Sequence, residues 1–142
     1  MSYEVLESRK TYEGKIVTIT VDKLRMPDGS EAYRETVIRK KNAAGVLAVD
    51  TDGRLLFVRQ YRHPAGVIEE GESGEAAVLR ELEEETGKRA GRAEFLCELY
   101  PSVGFCTEKI QLFFATELTA GTQKLDADEF VEIEKYTLEE AI

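Results

Sequence analysis

The sequence predicts an α/β chain, and three observations carry that expectation. Residues 12–25 and 31–39 alternate in side-chain character around a turn, as a strand pair does. Residues 44–49 and 54–59 read as two further apolar strands joined by a second turn. Between these and a last group of strand-like runs lies one amphipathic helix with both ends written in the sequence. With 142 residues, 42% of them hydrophobic, the chain suits one globular domain with a modest core.

In the first strand the alternating stretch is Lys15-Ile16-Val17-Thr18-Ile19-Thr20-Val21-Asp22, and Met26-Pro27-Asp28-Gly29 supplies the chemistry of a reversing turn. Asp50-Thr51-Asp52-Gly53 is the second hairpin signal. Ser73 can cap a helix over residues 74–86. Glu75 suits the positive dipole end, and Gly87 can close the helix in a left-handed conformation. Beyond it, residues 93–100 and 109–118 read as strands flanking an ordered loop, 101–108. Residues 125–132 are an acidic loop entering a last strand over 130–137. Thr137 and Glu140 make a capping box for a terminal helix too short to hold by itself.

The helix carries the chemistry. At about 100° per residue, Val78, Leu79, Leu82 and Thr86 share an inward arc while Glu81, Glu84 and Glu85 gather on another. Like charges three or four residues apart repel by roughly 0.2–0.5 kcal/mol per pair. With Glu83 added, these acids crowd the negative pole of the helix, each costing about 0.3–1 kcal/mol more. A hard cation such as Mg²⁺ or Mn²⁺ turns that repulsion into coordination. A solvated acidic face is the other reading, and the helix alone does not separate the two.

Charge and composition narrow the partners. A formal net charge of −9, with no basic stripe, argues against binding nucleic acid or an anionic membrane through bulk electrostatics. Cys97 and Cys106 are too few for a disulfide framework and are read as buried or half-buried free thiols. The start, MSYEVLESRK, has no apolar signal core and no run reaches membrane-spanning length, so the cytoplasm is expected. His63, alone of its kind and without a visible partner, reads as structural or solvated.

Spacing separates the two readings of the acidic face. Gly66, five residues, Glu72, seven residues, then Arg80-Glu81-Leu82-x-Glu84-Glu85-x-Gly87 resembles the box of the Nudix hydrolases, G-x5-E-x7-R-E-U-x-E-E-x-G-U, where U is aliphatic. Lys88 departs from the final aliphatic position, which is expected to loosen the packing after the helix. The resemblance implies an α/β/α sandwich with a mixed sheet, and hydrolysis of a nucleoside diphosphate linked to another moiety. It implies divalent metal on Glu81, Glu85 and Glu84, with the backbone carbonyl of Ala65, Arg80 orienting the acids and Glu72 steadying the loop.

Outside the box, YEGKIVTI, Met26-Pro27-Asp28-Gly29, Val58-Arg59-Gln60-Tyr61-Arg62, and the words around Tyr100-Pro101-Ser102 and Leu112-Phe113 resemble the adenosine diphosphate ribose pyrophosphatase branch. That implies an N-terminal β-sheet segment, residues 1–41, containing an antiparallel hairpin and helping to build a homodimer, ahead of a hydrolase domain over 42–142. It implies a general base from the acidic loop, Glu129 first, with Asp128 and Glu132 behind it. Arg34 and Arg62 match arginines that bind substrate, and Phe105 and Glu108 are candidates for the pocket wall. In that branch a loop and strand usually separate the Gln-Tyr-Arg and Pro-Ala-Gly words, and a longer helix follows the last strand; here the two words meet directly, by a shortened connection or an omitted segment, and the helix stops five residues after its cap, by truncation or as a minimal variant. Two alternatives accompany this reading: another nucleoside diphosphate derivative as substrate, and a non-catalytic module that binds a nucleotide.

Overall fold

The computed structural model describes residues 2–60, 68–127 and 129–142. Two compact units divide it, Met1–Asn42 with Tyr100–Lys109, and Ala43–Leu99 with Ile110–Ile142.

In the first unit, β1 (Glu4–Glu13), β2 (Val17–Arg25) and β3 (Glu31–Arg39) form an antiparallel sheet in that order. The expected hairpin is β2–β3, and β1 is an addition to it. Nearly every residue of β1 is exposed, so no apolar alternation marks it in the sequence; backbone pairing from Glu4 opposite Arg25 to Glu13 opposite Thr18 holds it. At the β2–β3 turn, Gly29 N donates to Met26 O at 2.9 Å while Pro27 fixes φ and Gly29 takes a φ of 84°. Residues 100–109 belong here because Val37 N donates to Phe105 O at 2.7 Å and Thr107 N donates to Val37 O at 3.0 Å.

The second unit is a mixed five-stranded sheet. Its strands are β4 (Ala43–Val49), β5 (Leu55–Arg59), β6 (Lys88–Leu99), β7 (Ile110–Ala120) and β8 (Glu132–Tyr136), in the order β6-β7-β4-β5-β8. Only β4 and β7 run parallel, and the crossover this demands contains helix α1 (Gly74–Thr86) and β6. The core joins Ala48, Leu56, Ala115 and Leu118 of the sheet to Leu82 of the helix. Alanines on the two central strands leave room for the helix to approach closely. Ala77 replaces Leu79 on the fully buried arc, beside Val78 and Leu82. Of helical layers the described residues supply α1 and the four-residue α2 (Leu138–Ala141), which has the expected capping box. No helix among them is long and apolar enough to cross a membrane. Cys97 is exposed rather than half-buried, and Cys106 is half-buried.

Strand β6 starts at Lys88, five residues before the sequence pattern places it, because its first residues are a half-exposed edge with Gly91 packed against Glu117. That start explains Lys88. Its Nζ lies 3.4 Å from Oδ2 of Asp50, whose side chain is 2% exposed, and Lys135 of β8 reaches the same oxygen at 2.6 Å. The lysine therefore neutralises a buried carboxylate instead of loosening the packing. Thr51 N donates to the other oxygen at 2.8 Å. Hydrogen bonds from Lys135 and Thr51, with the charge of Lys88, hold the Asp50 carboxyl down to about 2 from 3.8.

Because the folded pKa is depressed, the contribution of Asp50 is complete above pH 3.8 and is lost as pH falls towards 2. Asp50→Asn is expected to cost about 2 kcal/mol at neutral pH. Urea unfolding of both proteins between pH 7 and pH 2 checks this, since the gap should close on the acid side; a gap constant with pH contradicts the assignment.

Candidate active site

Helix α1 is set at both ends by local chemistry. Ser73 has an extended backbone, and its hydroxyl accepts from Ala76 N at 3.1 Å. Gly87 takes a φ of 65° and its N–H donates to Glu83 O at 2.8 Å. A side chain at Gly87 is disfavoured twice, by that φ and by a Cβ that would stand a tight 3.2 Å from Gln123 N.

Arg80 gathers the acids. Its Nε and Nη2 donate to the two oxygens of Glu72 at 3.0 and 3.1 Å, while Nη1 donates to Glu81 at 2.9 Å and to Glu84 at 2.8 Å. The bond to Glu72, then those to Glu84 and Glu81, push the guanidinium pKa further up despite partial burial. Glu72 in turn accepts from Glu69 N at 3.1 Å, so the arginine ties the helix to the turn before it.

Glu81 and Glu85 line one cleft of about 230 Å³ together with Ala44, Val46, Leu56, Val78 and Thr86. Glu84 is absent from that lining and lies on Arg80. Two carboxylates one helical turn apart are hard oxygen donors of the kind Mg²⁺ takes, with positions left for water and phosphate. Among the described residues no three acid, histidine or cysteine side chains already form a closed cage. The donors thus fit an open two-carboxylate site.

Other expected residues lie elsewhere. Glu129 lines a second, open cleft of about 800 Å³ with Arg59, Gln60, Phe130 and Glu132. Its own N–H donates to Asp126 O at 3.0 Å and its carboxylate accepts from Asp126 N at 3.1 Å, which closes a small turn. Val58 and Arg59, consecutive on β5, contribute to the first and second clefts respectively. Within the first unit, Arg34 and Phe105 line a cleft of about 410 Å³ together with Asp22, Thr36 and Tyr3. Glu108 instead stands 2.9 Å from Arg39 Nε, an ion pair without a hydrogen bond. Arg62, His63, Ala65, Gly66 and Asp128 lie outside the described residues.

Sequence reasoning missed the segment 121–124, which fastens onto the last turn of α1. Lys124 N donates to Glu84 O at 2.9 Å and Gln123 Nε2 to Glu85 O at 2.7 Å. Nothing in local sequence signals a pairing across 38 residues.

A mixed sheet carries one acid-rich helix, and two of that helix's acids line an open cleft. The chain belongs to the Nudix family: residues 39–142 match the NUDIX domain. It is 36% identical over 150 residues to the ADP-ribose pyrophosphatase of Bacillus subtilis (strain 168), covering 98% of this chain and 80% of that one. With the same coverage it is 34% identical to the methanol dehydrogenase activator of Bacillus methanolicus. The crystal structure of an ADP compounds hydrolase shares the fold, with a TM-score of 0.86 at 22% identity over 98% of this chain and 80% of that one.

Arg80→Lys keeps the charge but cannot reach three carboxylates in a plane. Loss of such an orienting group should lower turnover by about 10- to 100-fold. Steady-state kinetics at saturating Mg²⁺ tests this, and an unchanged kcat refutes the orienting role.

Proposed function

We propose that this Nudix hydrolase cleaves ADP-ribose, or a closely related nucleoside diphosphate sugar, to AMP and a sugar phosphate. The observation that carries the reading is the Glu81 and Glu85 pair over one cleft, in a chain that aligns along 98% of its length with an ADP-ribose pyrophosphatase.

Glu81 and Glu85 would hold the cation, with Glu84 and the Ala65 carbonyl as further donors, and Mg²⁺ or Mn²⁺ when bound neutralises diphosphate charge. Arg80 keeps Glu81 and Glu84 from drifting apart under their own repulsion. Glu129, with Asp128 and Glu132 as neighbours on the same stretch, accepts a proton from the attacking water. Water oxygen bonds to one phosphorus, the bridging P–O bond breaks, and the leaving phosphate takes that oxygen.

Arg34 offers a planar fork for phosphate or ribose, and Phe105 an aromatic face beside it in the cleft of the first unit. Arg62 and Glu108 complete the proposed substrate contacts. The domain division at residues 41 and 42 and a homodimer built by the N-terminal sheet belong to the same proposal. Tyr12 and Tyr33, each more than half exposed, pair with Ile19 and Lys23 of β2 and offer aromatic surface on one face of that sheet in support of the dimer. The second reading, in which the fold binds a nucleotide without turning it over, is separated from the first by turnover itself.

Incubation with ADP-ribose and Mg²⁺ should yield AMP and ribose 5-phosphate, faster than NADH, sugar nucleotides or nucleoside triphosphates are cleaved. Preference for another compound overturns the substrate; binding without turnover in Mg²⁺ or Mn²⁺ favours the second reading. Glu85→Gln should cost about 100-fold or more in kcat. Chelation by EDTA should abolish turnover reversibly, and activity that survives it refutes the metal mechanism.

A further inference from the structure

We infer that Gln123 is a positioning residue: residues 121–124 form a clasp that fixes the Glu129 loop to the backbone of the acid-bearing helix. The inference rests on the proposed roles of Glu85 and Glu129.

The last turn of an α-helix leaves its carbonyls without partners inside the helix. Here one short segment supplies them. Gln123 Nε2 donates to Glu85 O at 2.7 Å and Lys124 N to Glu84 O at 2.9 Å, while Gly121 N donates to Gly87 O at 2.8 Å. Thr122 N also donates to the Glu83 carboxylate at 3.2 Å. The backbone of two expected metal donors is therefore bonded directly to this segment.

Glu129 lies six residues beyond Gln123. Asp126 and Glu129 are locked to each other by the reciprocal bonds that close their turn. Leu125 alone separates the clasp, which ends at Lys124, from that turn. The inferred coupling runs from Gln123 through Leu125 to the turn that carries Glu129, while Arg80 separately holds Glu81 and Glu84. Gly87 is what lets the segment approach, since a Cβ there would press on Gln123 N. The bland role, capping a helix end, is served by Lys124 N and Gly87 N; the side chain of Gln123 adds the link to Glu85 itself.

Gln123 reaches no reacting atom, so the clasp acts by positioning, and a double-mutant cycle with Glu129 reads whether that positioning reaches the base. Gln123→Ala and the near-isosteric Gln123→Glu, both lacking the donor, should lower kcat by about 10- to 100-fold with KM changed less than about twofold. The melting temperature should hold within a few degrees, because the site is at the surface. In a Glu129→Gln background either change should lower kcat by less than about twofold further. Multiplicative losses, or an unchanged kcat in the single variants, overturn the clasp while leaving the hydrolase reading intact. A Glu129→Gln protein with full kcat overturns the base assignment and the clasp with it.

Discussion

One guanidinium holds the site together. Arg80 spends its Nε and Nη2 donors on Glu72 and its Nη1 on Glu81 and Glu84, so an acidic helix face that repels itself becomes a lattice with one cation at its centre. A lysine is a point charge and has no fixed fork, so it cannot impose directions on three carboxylates at once. Helix capping at Ser73 and Gly87 sets where the helix begins and stops, yet neither cap decides where the acids point. That direction comes from Arg80, and it leaves Glu81 and Glu85 over the cleft while Glu84 is turned to the arginine.

Around this centre the second unit uses buried charge sparingly. Asp50 closes the β4–β5 turn with its backbone and takes two lysines on its carboxylate, one from the strand after α1 and one from β8. The two hairpins share a device: in each, an aspartate before the glycine accepts the N–H two residues on, Ser30 for Asp28 and Arg54 for Asp52. The glycines at those corners take φ values of 84° and 78°, which other residues rarely adopt.

Local chemistry was readable from the chain, and distant pairing was not. The helix over Gly74–Thr86, its Ser73 cap and its Gly87 stop all follow from signals within fifteen residues, and the structure places them where those signals stand. Strand β1 escaped because an exposed strand needs no apolar alternation, and the first five residues of β6 because they carry charge and glycine. Lys88 was misread for a related reason: its partner Asp50 sits in the β4–β5 turn, and a neighbour brought up by the fold leaves no mark beside it. Gln123 is the same case at the site itself. For Glu129, the acidic run 125–132 narrowed the choice by composition alone.

The parallel pairing of β4 with β7 also sets an order of assembly. Ala43 meets Ile110 and Ala48 meets Ala115 only after the whole intervening crossover has been made, whereas β4–β5 and β6–β7 are antiparallel neighbours in the chain. Closing so long a loop is slow compared with zipping a hairpin. The seam at the middle of the sheet is consequently sewn after the hairpins on either side of it, and the completely enclosed Ala115 waits for it.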